Sequence, residues 1–187
     1  MPASNKSDLR RKILEQRRSL SPAEWQDRSK QICDRLKPST LFIEAQTILA
    51  YFSFRQEPDL TSLFQLDKAW GFPRCVDQSL VWHLWQPGNE LQSGKYGITE
   101  PLETASLVDP LTADLILVPT VACNLQGYRL GYGGGFYDRL LSKETGLNAT
   151  TIGIVFDFAY GVEIATDTWD VPLDFICTET RFYTRLN

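Results

Sequence analysis

At 187 residues the chain has the length of one domain, and a domain of that size buries about 70% of its unfolded surface without disulfide or metal staples. Its net charge of −4 excludes a general electrostatic attraction to nucleic acid or to anionic membranes, so any basic site must be local. Cys33, Cys75, Cys123 and Cys177 form no C-x-x-C pair, the charged opening MPASNKSDLRRK runs directly into a helical pattern, and no apolar run reaches membrane-spanning length; these features point to a cytoplasmic protein with reduced core thiols.

Two helices open the chain, between residues 5 and 36. Leu9, Ile13, Leu14 and Leu20 give the first an apolar side, and Ser21-Pro22-Ala23-Glu24 is a capping box with proline at the first helical position. Trp25, Ser29, Ile32, Cys33 and Leu36 then keep the 3.6-residue period up to Pro38. Residues 47–54 (TILAYFSF) read as a strand, 59–66 as a short helix entered at Pro58, and 68–74 and 80–85 (LVWHLW) as two more strands. His83, the only histidine, falls in the last of these and reads as a residue of the sheet surface. Residues 86–101 are the longest irregular stretch, a lid or a simple connection. The continuous apolar run at 114–118 (DLILV) is the pattern of a central parallel strand buried on both faces. Strands at 150–156 and 174–178 follow, with Phe182 and Tyr183 in an ordered tail. This alternation predicts one three-layer α/β/α domain over 1–187, with a parallel or mixed central sheet.

The segment 129–139, RLGYGGGFYDR, carries the chemistry. Gly131, Gly133, Gly134 and Gly135 allow positive φ and close backbone approach, so that successive N–H groups can form an anion nest leading into a helix near Phe136. The helix terminus contributes only about 0.3–1 kcal/mol per anionic group. A polyphosphate therefore needs Arg129 and a cation such as Mg²⁺, which would also explain a carboxylate, Asp138, beside bound phosphate. A flexible loop with Asp138 as an ordinary first-turn residue is the plainer reading; Arg129, Asp138 and Arg139 around the glycines favour phosphate. The loop is neither a Walker loop nor a dinucleotide loop, since no G-x-x-x-x-G-K-[ST] occurs and Phe136 fills the last place of G-x-G-x-x-G. A single histidine, scattered cysteines and the lack of G-x-S-x-G argue against zinc chemistry and a serine hydrolase. Catalysis by positioning and electrostatics remains, and phosphoryl transfer is of that kind.

Three further places carry polar residues of interest. Glu57 follows a predicted strand and precedes Pro58, where glutamate is a poor helix cap; surface tolerance and ligand binding are both open. Lys6 and Arg10 lie four apart on one helix face, as solvated charges or as a pair for anions. Near the C-terminus, Trp169-Asp170 is followed by Leu173-Asp174.

The glycine segment is similar to R-x-G-Y-G-x-G-Y-Y-D-R, the signature of the 5-formyltetrahydrofolate cyclo-ligases, also called methenyltetrahydrofolate synthetases. It departs at Phe136, where the family usually has tyrosine. The family's S-x-x-x-E-x-D stretch is matched by Ser53, Glu57 and Asp59, its K-x-x-x-R by Lys6 and Arg10, and its H-D-x-x-x-D by a segment in which Trp169 replaces the histidine and Asp170 keeps the first aspartate. A glutamine common in the family is missing from FDFAYGVEI. The resemblance spans Lys6 to Glu179 and is weakest between Asp157 and Trp169.

It implies ATP-dependent closure of 5-formyltetrahydrofolate to 5,10-methenyltetrahydrofolate by a monomer acting on a reduced formyl folate. ATP would be held by Lys6, Arg10, Arg129 and the stretch Leu130, Gly131, Tyr132, Gly133, Gly134, Gly135, Phe136 and Tyr137; Mg²⁺ by Asp138 and Asp170. Folate would lie against Phe52, Glu57 and residues 132–136. Arg129, Tyr137 and Asp138 would be catalytic, with Tyr137 or water supplying the hydroxyl absent at Phe136. A kinase or ligase for another formylated or carboxylated metabolite, and a nucleotide-binding accessory protein without catalysis, are the alternatives.

Overall fold

The computed structural model describes residues 6–142 and 146–186. Three helices, α1 (Lys6–Arg18), α2 (Pro22–Leu36) and α3 (Thr40–Glu44), precede strand β1 (Thr47–Leu49). The hairpin β2 (Ala69–Val76) and β3 (Ser79–Leu84) follows, then a small hairpin β4 (Leu91–Ser93) and β5 (Thr99–Pro101), the short β6 (Leu107–Val108) and β7 (Leu115–Pro119). A third hairpin, β8 (Ala122–Cys123) and β9 (Arg129–Leu130), leads into α4 (Phe136–Leu141); β10 (Thr150–Ile154), β11 (Phe175–Cys177) and β12 (Phe182–Thr184) complete the strands.

The central sheet is mixed, in the order β12-β11-β10-β7-β1-β2-β3-β6. Neighbours from β11 to β2 run parallel, and the outer pairs β11–β12, β2–β3 and β3–β6 are antiparallel. Along β7, Leu115 and Leu117 join one buried cluster with Ile32 and Leu36 of α2, while Ile116 and Val118 join another with Ile13 and Leu14 of α1. This period-two division is what a strand covered on both faces produces, as the DLILV run predicts. Helices on both sides make the architecture α/β/α.

Local sequence signals act where expected at α2. The Ser21 hydroxyl accepts from the Glu24 N–H at 3.3 Å and the Glu24 carboxylate accepts from the Ser21 N–H at 2.9 Å, closing the capping box. Three of the cysteines are buried and all are free; burial raises the thiols of Cys33, Cys123 and Cys177, as befits inert core groups.

Several expectations are corrected. The strand over 47–54 ends at Leu49, because the chain leaves the ladder and Tyr51 and Phe52 pack under 58–64 instead. The helix of 59–66 is one 3-10 turn at Thr61–Leu63, with the Asp59 carboxylate accepting the Thr61 N–H at 3.0 Å, so Pro58 is not its first residue. His83 is buried, not on the sheet surface, and its Nδ1 lies 2.8 Å from the Ala105 carbonyl in the segment that leads into β6. The stretch 86–101 contains the β4–β5 hairpin, tied to β2 by the buried Arg74–Glu100 ion pair at 3.1 Å.

Glu179, buried just beyond β11, joins α2 to the carboxyl edge of the sheet. One of its oxygens takes Arg28, the other accepts the Asp157 N–H at 2.8 Å, and Arg35 donates to its carbonyl at 3.0 Å. Removing this carboxylate strands a buried N–H and an arginine, so Glu179→Ala is expected to cost about 2–3 kcal/mol, or about 6–10 °C in Tm for a domain of this size. A thermal melt shifted by under about 2 °C would show that water replaces the carboxylate at no cost.

Candidate active site

The parallel strands β1, β7, β10 and β11 end on one edge of the sheet; Glu57, the glycine loop and Asp170 follow the ends of strands, Asp138 lies on α4, and Lys6 and Arg10 come from α1. Ligands in open α/β sheets bind at such an edge. Within the glycine segment, Gly133 (φ +100°) and Gly135 (φ +67°) adopt positive φ, whereas Gly131 and Gly134 do not. Gly135 is the N-cap of α4, and the first of those angles is closed to L side chains. Arg139 braces the loop: its Nη2 donates to the Gly134 carbonyl at 2.9 Å and its Nε to the Gln78 carbonyl at 2.6 Å, with its guanidinium over the Phe136 ring. Leu130 points into the core, so only its backbone faces the site.

Arg129 is nearly enclosed. Its Nη2 pairs with the Asp138 Oδ1, its guanidinium lies 5.5 Å from the Tyr137 ring centre, and its Nε has no partner. Burial lowers its pKa, opposed by the charges of Asp138, Tyr137 and Asp170. Tyr137 is packed edge-on against Trp82, and its buried hydroxyl, raised by desolvation, is likewise unpartnered. Two buried donors without partners, around one ring, leave bonding capacity for a ligand.

Helix α1 brings its basic residues to this loop. The Arg10 Nε donates to the Gly131 carbonyl at 2.7 Å, and the Lys6 Nζ bonds Asp167 at 2.6 Å and Asp170 at 3.0 Å. Burial alone would lower the Lys6 ammonium, but those two carboxylates outweigh it and raise the pKa. Asp170 also accepts the Asp167 N–H at 2.9 Å, while Trp169 beside it is 67% exposed, and its indole, a donor only, cannot do what a histidine ring nitrogen does. Among the described residues no three His, Cys, Asp or Glu side chains form a metal cage. Asp138 and Asp170 nevertheless fit Mg²⁺: both are hard oxygen donors, both act on Arg129, and Mg²⁺ is commonly held by one or two carboxylates together with substrate phosphates.

Glu57 is on the other side of Tyr132. It is 4% exposed and sits on a tight turn in which Arg55 (φ +49°) and Gln56 (φ +56°) are left-handed, a strained conformation for residues with side chains. The turn is held from outside by bonds from the Trp25 Nε1 (2.9 Å) and the Ser53 hydroxyl (2.7 Å) to the Glu57 carbonyl, and by Gln56 on the Leu20 carbonyl (3.2 Å). Its carboxylate accepts the Phe54 N–H at 3.1 Å. Desolvation pushes the pKa up to about 7, opposed by the Arg17 charge, the Phe54 N–H and the Tyr132 hydroxyl. Phe52 stacks on Phe72 at 4.1 Å and meets Phe64 and Trp85 edge-on, making an aromatic wall next to this segment.

The structure thus brings Lys6, Arg10, Arg129, the glycine loop, Asp138 and Asp170 into one cluster, which Glu57 adjoins through Tyr132, while Phe52 packs with Phe64, Phe72 and Trp85 and is not brought against Tyr132. Trp25 and Arg17 belong to the same surroundings and carry no sequence signal of their own: Arg17 sits in the Arg17-Arg18 pair that ends α1, where basic residues are ordinary. A cleft of about 520 Å³ lined by Trp70, Trp85, Asn89 and Glu90 lies at the opposite, amino-terminal edge of β2 and holds none of these groups.

Fold and site together define an α/β protein with a glycine-rich loop at the carboxyl edge of a mixed sheet, flanked by a buried carboxylate. The profile described as "5-formyltetrahydrofolate cyclo-ligase family" matches residues 2–179, and the chain belongs to that family of enzymes. It is 28% identical over 181 residues to 5-formyltetrahydrofolate cyclo-ligase of Escherichia coli (strain K12), covering 91% of this chain and 98% of the relative. To the Mycolicibacterium smegmatis protein of the same name it is 31% identical over 192 residues, covering 97% of each. The solved structure of Aquifex aeolicus 5,10-methenyltetrahydrofolate synthetase superposes with a TM-score of 0.84 at 33% identity, over 96% of this chain and 92% of that one.

Proposed function

We propose that the chain, as one domain acting as a cytoplasmic monomer, converts 5-formyltetrahydrofolate and ATP into 5,10-methenyltetrahydrofolate, ADP and phosphate. The observation that carries this is the contact, through Tyr132, between a phosphate-type cradle and a buried carboxylate. Lys6, Arg10, Arg129 and the backbone of 130–137 hold the nucleotide, and Glu57 and Phe52 receive the pterin end with residues 132–136 between them.

The formyl oxygen of an amide is a poor leaving group. Transfer of the γ-phosphoryl group to that oxygen breaks the bond to ADP and makes an imidate-like phosphate ester. N10 then attacks the formyl carbon and loses its proton, and phosphate departs with the C–O bond as the ring closes. Arg129 would meet charge developing on the transferring group, a role that its unpartnered Nε supports as an available donor. Mg²⁺, bound by Asp138 and Asp170 with the phosphates, would neutralise phosphate charge. The Tyr137 hydroxyl is the buried phenol available where Phe136 has none, and it can donate to the reacting oxygen.

The test is to mix the protein with Mg-ATP and 5-formyltetrahydrofolate and follow the near-ultraviolet band of the methenyl product. ATP-dependent growth of the band supports the reading; no growth, with ATP bound, overturns it. The loop gives a second expectation. Gly133→Ala imposes φ +100° on a residue with a Cβ, so KM for ATP should rise about tenfold as the loop shifts. An unchanged KM would mean that this peptide does not contact phosphate.

A further inference from the structure

Arg17 has no part in the reaction as drawn above, yet its surroundings are costly. It is 1% exposed, on the last turn of α1. Its Nη1 donates to the Tyr132 hydroxyl at 2.9 Å, its Nη2 to the Thr120 carbonyl at 3.1 Å, and its Nε is buried without a partner. Among the described residues it forms no ion pair within 4 Å, and a buried cation in that state is less stable than an apolar side chain of similar volume. What it does reach is the site. Lys6, Arg10 and Arg17 fall on one stripe of α1, at steps of four and seven residues, so a single helix face serves both halves.

We propose that Arg17 is a positioning residue for the reaction: by holding the Tyr132 hydroxyl and the Thr120 carbonyl, it fixes the Tyr132 side chain against the Glu57 turn and so sets the Glu57 carboxylate toward folate. This rests on the reading of Glu57 as the pterin-end acceptor. The groups that act on Glu57 or its neighbours are Arg17 from α1, Tyr132 from the loop, Tyr51 from its own segment and Tyr137 from α4, with Arg55 acting on Tyr132 and Arg129 on Tyr137. Trp25 from α2 bonds only the backbone carbonyl. Arg17 is the cation that bears on the carboxylate itself. A carboxylate must be ionised to accept two N–H donors from a pterin edge, and Arg17 favours that form.

The experiment measures KM for 5-formyltetrahydrofolate at saturating Mg-ATP from pH 6 to pH 9, beside KM for ATP and Tm. Arg17→Met should raise the folate KM at pH 7 about tenfold or more, keep the ATP KM within about twofold, and move Tm by no more than about 6 °C, since the loss of a donor at the buried Thr120 carbonyl is offset by removal of a buried cation. It should also move upward, by about one pH unit, the point below which folate KM climbs, and Arg17→Lys should move that point back. A wild-type folate profile in Arg17→Met, or equal losses for ATP and folate, overturns the proposal. If Arg17→Met does not fold, Tyr132→Phe decides: a rise of about threefold in folate KM with the same direction of pH shift supports the proposal, and its absence overturns it. Glu57→Gln, measured in parallel, separates the two layers. A wild-type folate KM there removes Glu57 as the acceptor, whereas a loss there with a normal Arg17→Met removes Arg17 alone.

Discussion

Asp138→Asn is expected to lower kcat by about 10³-fold or more, with the fold retained. Asp138 is paired with Arg129, whose side chain is 5% exposed, and it is one of two carboxylates proposed to face Mg²⁺. Asparagine keeps the size of the side chain but supplies no charge to balance either cation. Arg129 would then be left enclosed beside a neutral amide, and the metal would lose a ligand at the phosphate being transferred. The stability cost is limited, because the Asp138 side chain is 36% exposed and water can approach the vacated charge. Steady-state kinetics with a thermal melt would check both halves. An unchanged rate removes Asp138 from the mechanism, and a collapse of Tm by more than about 10 °C would make its role structural.

Glu57→Gln is expected to act in opposite directions on stability and on substrate binding. The folded-state pKa of Glu57 is raised from 4.5 to about 7, so between these values the folded protein holds a proton that the unfolded chain has released. The folded state binding more protons means that stability falls as pH rises through this window and levels off above about pH 7. The raised pKa corresponds to a cost of up to about 3 kcal/mol at pH 8. Glutamine cannot ionise, and its carbonyl can still accept the Phe54 N–H. The variant should therefore melt above the parent at pH 8, by about 5 °C or more, and approach it near pH 5. Folate KM should rise about 10²-fold, since an amide offers a donor where the pterin edge needs acceptors. Parallel curves of Tm against pH for the two proteins would refute the buried-proton account.

These two residues differ in how plainly the sequence announces them. Asp138 sits in a glycine-rich motif flanked by two arginines that stands out in the sequence, and the DLILV run of β7 is just as plain because burial on both faces leaves no polar position. Glu57 is plain only by resemblance. Its environment is made by Trp25, Arg17 and Tyr132, from three distant parts of the chain, and desolvation has no local signature. The same cause explains the shorter strand at 47–54: one more ladder bond, from the Ala50 N–H to the Gly71 carbonyl, follows Leu49, and Tyr51 and Phe52 are apolar because an aromatic cluster covers them. His83 is buried beside the segment 105–108, in which β6 is a two-residue strand too short to leave a period in the sequence. Arg17 escapes because helix ends commonly carry arginines, and the stripe it shares with Lys6 and Arg10 gains meaning only when Tyr132 is seen beside it.

The pairing of Lys6 with Asp170 spans 164 residues. During synthesis at about 5–20 residues per second, α1 leaves the ribosome roughly ten seconds or more ahead of the segment that anchors it. Through that interval Ile13 and Leu14 have no Leu130, Val155, Ile164 or Leu173 to pack against, and closing so long a loop must precede any reward from the contact. The proposed grip on triphosphate would therefore be among the last properties the nascent chain acquires. Incomplete chains would neither sequester nucleotide nor open reduced folate to unfinished chemistry.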